Sequence, residues 1–165
     1  MNRTRCLLLL AGAVALGVWA WAGLFPNPQK IIEKRLIKLG ALASFAPGEG
    51  NIKRLANAER MESLFAENIQ VTLEAPGAGR RTFDHREELM QAALASRSFA
   101  NRLAVSLVDI NVVLDSDRQS ATADATLKAR IGQEDELFVQ PLKFTFHKTN
   151  DEWLVTGIET VKSLH

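Results

Sequence analysis

The chain has almost no cysteine and no tyrosine. Its 165 residues include one cysteine, Cys6, and no tyrosine. A single cysteine excludes an internal disulfide framework and any cysteine-rich zinc module. The absence of tyrosine removes a common phenolic hydrogen-bond donor from any site that the chain forms.

An excess of charge of one sign is also missing. The chain has 20 basic and 19 acidic residues and a formal net charge of +1. Because nucleic-acid-binding domains carry a strongly basic face, we predict no nucleic-acid partner. The three histidines show no metal-ligand spacing, and the sequence has no glycine-rich phosphate loop and no serine-nucleophile motif. We therefore predict no metal and no cofactor, and no motif identifies an enzyme.

A long uncharged run lies at the N-terminus. Cys6 to Phe25 are 20 consecutive residues without a charge, preceded by Arg3 and Arg5. As a helix this run would be about 30 Å long, which is the thickness of the hydrocarbon core of a bilayer. We therefore divide the chain into a membrane-targeting segment, residues 1–25, and one domain, residues 26–165.

Two interpretations of this segment stay open. Ala20 to Ala22 fit the small-x-small cleavage site of a signal peptide, which would leave the domain secreted. Trp19, Trp21 and Phe25 instead cluster at one end of the run, as in the aromatic belt of a retained anchor. The short basic start favours export in both cases, so we expect a domain that faces outward. Four basic residues after the run also permit the reverse orientation: Lys30, Lys34, Arg35 and Lys38.

The exported part begins with two stretches of helical periodicity. Asn27 and Pro28 are typical of a helix start and predict a first helix that runs to about Phe45. A second helix is predicted over residues 51–68 because apolar side chains recur at three- and four-residue steps. Its apolar face consists of Ile52, Leu55, Ala58, Met61 and Phe65.

A short hairpin and a third helix follow. Alternating residues predict strands at 69–73 and 81–83, joined by a turn at 76–79. Asp84 and Glu87 are three residues apart, as in a capping box, and predict a helix that runs to about Ser98. His85 and Arg86 lie in its first turn, which is either a solvated helix start or an anion site.

From residue 102 the period changes from 3.6 to 2. This change predicts four long strands, at residues 102–115, 118–131, 136–149 and 152–163, joined by hairpin turns. Pro141 interrupts the alternation in the third of them and predicts a bulge. Helices followed by an antiparallel meander predict an α+β fold, with three N-terminal helices packed in the concave face of a curved, mainly antiparallel sheet. Such a cone leaves a cavity for a small ligand.

This order of elements resembles the SnoaL-like group of the nuclear transport factor 2-like superfamily over about residues 28–163. Phe83 to Leu89 are similar to the aromatic-x-Gly-Arg-Glu-x-aliphatic start of the family's third helix, with His85 where the family often has glycine. Trp153 to Glu159 are similar to its tryptophan-containing last strand. The resemblance implies a cone, often a homodimer through the outer sheet face. It also implies isomerases, epoxide hydrolases and polyketide cyclases, which commonly use a carboxylate in the cone, and many non-catalytic members.

Four residues are candidates for the pocket: Asp109, Asn111, Glu159 and Trp153. None of them matches a catalytic motif of the family. Asp109 and Asn111 share the parity of Leu103, Val105 and Leu107 and would enter the interior. The alternatives are a bulge near Leu107 and Val108 that transfers the core face to Val108, Ile110, Val112 and Leu114, or a strand that is buried on both faces. Glu159 shares its parity with Trp153, and it either enters the pocket or faces solvent or a second subunit.

The leading hypothesis is an exported, membrane-tethered domain that binds a small apolar ligand or a partner protein without catalysis. The first alternative is an isomerase, hydrolase or cyclase that uses Asp109 or Glu159 as its base. The second alternative is a dimerisation module.

Overall fold

A computed structural model describes residues 27–75, 79–132 and 137–161. The apolar run at residues 6–25 lies outside these ranges. Within them, no helix combines the length and the apolar character needed to cross a membrane.

The described residues form three helices and six strands. In chain order the elements are α1 (Pro28–Ala43), α2 (Asn51–Glu62), β1 (Phe65–Ala75), β2 (Gly79–His85), α3 (Arg86–Phe99), β3 (Leu103–Leu114), β4 (Ser120–Ile131), β5 (Leu137–Thr149) and β6 (Glu152–Thr160). The strands make one sheet in the order β2-β1-β6-β5-β4-β3, in which β1 and β6 are parallel and all other neighbours are antiparallel. The sheet is curved and unclosed, and the predicted α+β cone is confirmed.

The core lies between the helices and the concave face of the sheet. Its most deeply buried side chains come from α1, β1, β5 and β6: Ile32, Leu36, Val71, Phe144, Phe146 and Val155. The buried residues of β4 include four alanines: Ala121, Ala123, Ala125 and Ala129. Every residue of the core cluster lies between Ile32 and Ile158. All described core residues therefore lie within the fragment 26–165.

The start of α1 follows the sequence prediction. The side chain of Asn27 accepts a hydrogen bond from the backbone N–H of Gln29 at 3.0 Å, and Pro28 occupies the first turn. This cap satisfies one of the amides that a helix leaves unpaired at its start.

The second helix is shorter than predicted. It ends at Glu62, and Phe65 begins β1 because the backbone there pairs with β6: the Leu64 carbonyl accepts a hydrogen bond from Val155 N at 2.9 Å. Phe65 fits both a helical stripe and a strand, so the periodicity could not locate the change. The first half of the predicted apolar face lies in solvent, with Ile52 88% and Leu55 61% exposed.

The predicted capping box of α3 is wrong. The N-cap is His85, which makes no side-chain capping bond, and Asp84 still belongs to β2. Pairing of His85 with Asn68 holds these residues extended. Arg86 Nε lies 3.3 Å from Glu62 Oε1 and 3.5 Å from Glu87 Oε1. The guanidinium that would bind an anion at this helix start is therefore already paired with two carboxylates.

The predicted bulge at Pro141 is also wrong. The register of β4 with β5 runs without a shift from Ser120 to Arg130, past Pro141. Proline is tolerated here because its missing N–H faces the end of β6, where Val161 N donates to the Pro141 carbonyl at 3.0 Å. The side-chain amide of Gln140 donates to the Val161 carbonyl at 3.3 Å and replaces the bond that proline cannot make.

Candidate functional site

The cone contains an apolar cavity of about 240 Å³. All three helices and every strand except β2 contribute to its wall. The lining residues are Leu39, Gly40, Ala43, Met61, Phe65, Leu73, Leu89, Met90, Ala93, Val105, Leu107, Leu127, Leu142, Phe144 and Ile158. Among the residues that the structure describes, no lining side chain carries a charge, a hydroxyl or an amide.

Small residues on the helices leave the space for this cavity. Ala43 of α1 and Ala93 of α3 line it with a single methyl group each. Gly40 brings α1 close to β3, because a Cβ at this position would lie 3.4 Å from both Leu107 N and the Val105 carbonyl oxygen. The cavity therefore depends on the close approach of the α1 backbone to β3 at Gly40 and on the short side chains of Ala43 and Ala93.

Asp109 and Asn111 do not line the cavity. The register of β3 with β4 shifts between Val108 and Asn111, and Asp109 adopts a left-handed conformation with φ 54°. This bulge transfers the inner face to Ile110, Val112 and Leu114, which pack against the core, and both polar residues are exposed. Of the alternatives that the sequence allows, the structure has the bulge, and it lies at Asp109, just beyond the predicted Leu107 and Val108.

Trp153 and Glu159 lie on different faces of β6, despite their shared parity. The register of β6 shifts against β5 and against β1 at Thr156, and this extra residue turns Ile158 inward in place of Glu159. Trp153 is only 2% exposed and belongs to the core, outside the cavity lining. Glu159 is exposed.

Glu159 lines a second concavity, a polar groove on the outer face of β1, β5 and β6. The groove has a volume of about 530 Å³, and Gly157 is among the residues that line it. Its polar lining residues are Gln70, Thr72, Glu74, Arg80, Thr145, Thr156, Glu159 and Thr160. Arg80 Nη2 lies 3.5 Å from Glu74 Oε2, so the guanidinium and this carboxylate offset each other. The four predicted site residues are thus not brought together.

Metal chemistry has no evident site in the described ranges. No three histidine, cysteine, aspartate or glutamate side chains in the part of the chain that the structure describes are grouped as metal ligands. His147 is exposed and lies 3.4 Å from the hydroxyl of Ser120.

Solved structures share this architecture at low sequence identity. A protein from Kribbella flavida has a TM-score of 0.63 at 16% identity, over 82% of this chain and 90% of its own. An NTF2-like protein with a cystatin-like fold from Novosphingobium aromaticivorans has a TM-score of 0.61 at 16% identity, over 92% and 86%. The fold is nuclear transport factor 2-like.

A third structure with this cone, also from Novosphingobium aromaticivorans, is a candidate scytalone dehydratase. It has a TM-score of 0.58 at 14% identity and covers 81% of this chain and 83% of its own. No family model and no curated protein matches the chain in sequence. At these sequence identities the similarity supports a shared fold and nothing beyond the fold.

The lining of the cone is the part of the site that sequence reasoning missed. One signal was available: Gly40 lies inside a helix, where glycine costs about 1 kcal/mol relative to alanine and thus indicates a close packing contact. The other lining residues look like ordinary core positions until the sheet is assembled.

Proposed function

We propose that the domain binds a small apolar molecule inside the cone and does so without catalysis. The wholly apolar wall of the 240 Å³ cavity supports this proposal. Acid–base catalysis needs a titratable group within hydrogen-bond reach of the substrate, and no described lining residue supplies one. An apolar cavity gains free energy by transferring an apolar ligand out of water.

The size of the cavity defines the ligand class. An engineered apolar cavity of about 150 Å³ accepts benzene, whereas pockets for drug-sized ligands begin at about 300 Å³. The ligand that fits here is an uncharged molecule of about ten carbon atoms, such as a fused pair of rings. A carboxylate or an ammonium group inside this wall would be buried without a partner, which is strongly unfavourable.

Calorimetric titration of the fragment 26–165 with naphthalene and with indole tests the proposal. We expect dissociation constants below about 1 mM. Ala43→Leu and Ala93→Leu place three extra carbon atoms each in the cavity and should weaken binding at least about tenfold. The matched control is Ala41→Leu, on the exposed face of the same helix as Ala43, and it should bind as the parent does. Equal affinities for all four proteins would contradict the proposal.

A carboxylate-dependent activity in the polar groove is the second candidate. Glu159 lies there beside Gln70, Thr145 and Thr156, over the bulge in β6, and bulges are common next to active sites. The similarity to a candidate dehydratase also favours an enzyme. Loss of a measured activity in Glu159→Gln, without loss of naphthalene binding, would support this candidate over the first.

We also propose that residues 6–25 bring the domain to a membrane and that it faces outward. The 20-residue uncharged run with its two preceding arginines supports this proposal. The intact mass of the protein extracted from membranes separates a retained anchor from a cleaved signal. Loss of about the first 22 residues would identify a signal peptide.

A further inference from the structure

The exposed face of α1 carries a stripe of lysines. At about 100° per residue, Lys30, Lys34 and Lys38 lie within an arc of about 80° on the helix surface. Ile37, which is 52% exposed, and Ala41 lie within or beside the same arc. We call these five residues the lysine face.

The lysine face points away from the domain. The buried side chains of α1, among them Ile32, Leu36 and Leu39, lie on the opposite side of the helix. No described residue forms an ion pair with any of the three lysines, whereas the neighbouring Arg35 pairs with Glu152 at 3.4 Å. Glu33 is the acidic residue at the margin of the face, so its net charge stays positive.

If residues 6–25 insert into a membrane as proposed above, the position of α1 in the chain brings this face close to it. The apolar run ends at Phe25 and α1 begins at Pro28, and three residue steps span at most about 11 Å. That distance is about one Debye length in 0.1 M salt, so the first turn of α1 lies within the electrostatic range of the lipid surface whenever the run is inserted. Where the leaflet that faces the domain carries anionic headgroups, lysines at this distance are attracted by them, and an exposed isoleucine between the lysines can enter the interface.

We propose that the lysine face of α1 binds an anionic lipid surface and thereby lays the cone along the membrane instead of leaving it upright on its anchor. This interaction belongs to α1 itself. It rests on the proposed membrane targeting by residues 6–25, and it does not depend on ligand binding in the cavity.

The experiment uses the fragment 26–165, so that no anchor contributes. Its co-sedimentation is measured with vesicles of phosphatidylcholine alone and of phosphatidylcholine with about one-third phosphatidylglycerol, at about 0.05 M and 0.5 M salt. We expect binding to the anionic vesicles at low salt and at least about a tenfold loss in the triple variant Lys30→Gln, Lys34→Gln, Lys38→Gln. The control, Arg81→Gln, Arg102→Gln, Arg130→Gln, removes the same charge from exposed sites elsewhere and should keep at least half of the binding.

A second measurement reports the orientation directly. Ile37→Trp should show a blue-shifted emission and quenching by brominated lipid when anionic vesicles are added, whereas Ile52→Trp, on the exposed surface of α2, should not. Equal binding to neutral vesicles, equal losses in the two triple variants, or a response from Ile52→Trp and not from Ile37→Trp would each overturn the proposal.

Discussion

The hydroxyl of Ser44 hydrogen-bonds to the backbone of Val105 on the side where a neighbouring strand would otherwise pair with it. Its Oγ accepts a hydrogen bond from Val105 N at 2.9 Å and lies 3.1 Å from the Val105 carbonyl oxygen. β3 is an edge strand, so this backbone would otherwise lack a partner on that side. The same Oγ lies 2.9 Å from the Gly40 carbonyl oxygen and so holds the end of α1 on β3, at the wall of the cavity.

Ser44→Ala should therefore lower the free energy of unfolding by about 1–3 kcal/mol, because it leaves half-buried backbone groups without a partner. The matched control is Ser63→Ala. Ser63 also donates to a helix carbonyl, that of Arg60 at 2.8 Å, but it is exposed, and its replacement should cost less than about 0.5 kcal/mol. Urea unfolding of the fragment 26–165 measures both, and equal effects would contradict the role given to Ser44.

Trp153 should behave as a core residue. Trp153→Ala should cost about 3–5 kcal/mol in the free energy of unfolding, because a side chain that is 2% exposed is removed from a packed cluster. Val113→Ala is the comparison, since Val113 is 51% exposed, and it should cost less than about 0.5 kcal/mol. Denaturant unfolding distinguishes the two, and a small effect of Trp153→Ala would return Trp153 to the ligand-contact candidates.

The sequence predicted the elements well and the site poorly, and bulges explain most of the difference. The period of two identified β3 and β6 as strands, but it could not decide whether Asp109 and Glu159 enter the interior, because it counts every residue. One extra residue in β3, and another at Thr156 of β6, reverse the faces beyond them. Bulges arise from pairing with the next strand, and a single sequence carries little signal for them.

The sequence analysis predicted a cavity, but the residues that line it could not be predicted, for a related reason. Its wall combines Ala43 of α1, Ala93 of α3 and Ile158 of β6, which are far apart in the sequence. Each of them looks like a core position by its own periodicity. Whether such positions touch or leave a space depends on the curvature of the sheet, which no local pattern contains.

Asp117 should make stability depend on pH in the acid range. Hydrogen bonds from the backbone N–H groups of Gln119 and Ser120 hold the pKa of the Asp117 carboxyl below its ordinary value of 3.8. A lowered folded-state pKa stabilises the fold fully above pH 3.8, and this contribution is lost as the pH falls through the folded value. Asp117→Asn keeps an acceptor oxygen without a charge.

The urea midpoint of the parent should consequently fall more than that of Asp117→Asn between about pH 6 and about pH 3. The comparison cancels the titration of the other carboxylates, which both proteins share. A parallel fall in the two midpoints would show that the turn at Asp117 contributes nothing to the acid response.

Glu159 should be independent of the cavity, because it lies on the outer face of the sheet. Glu159→Gln is expected to change the dissociation constant for naphthalene by less than about twofold, since no charge is removed from the wall. Calorimetric titration of the variant with naphthalene measures this dissociation constant. A change of tenfold or more would place Glu159 in contact with the ligand and would favour an enzyme.

The most direct test of the central claim locates a bound probe by NMR. In the fragment 26–165 saturated with naphthalene, intermolecular NOEs should connect the ring protons to the methyl groups of Met90, Leu127 and Leu142, which line the cavity. The methyl groups of the exposed residues Ile52 and Leu55 should show none. NOEs to Ile52 and Leu55 in place of the cavity methyl groups would contradict binding inside the cone.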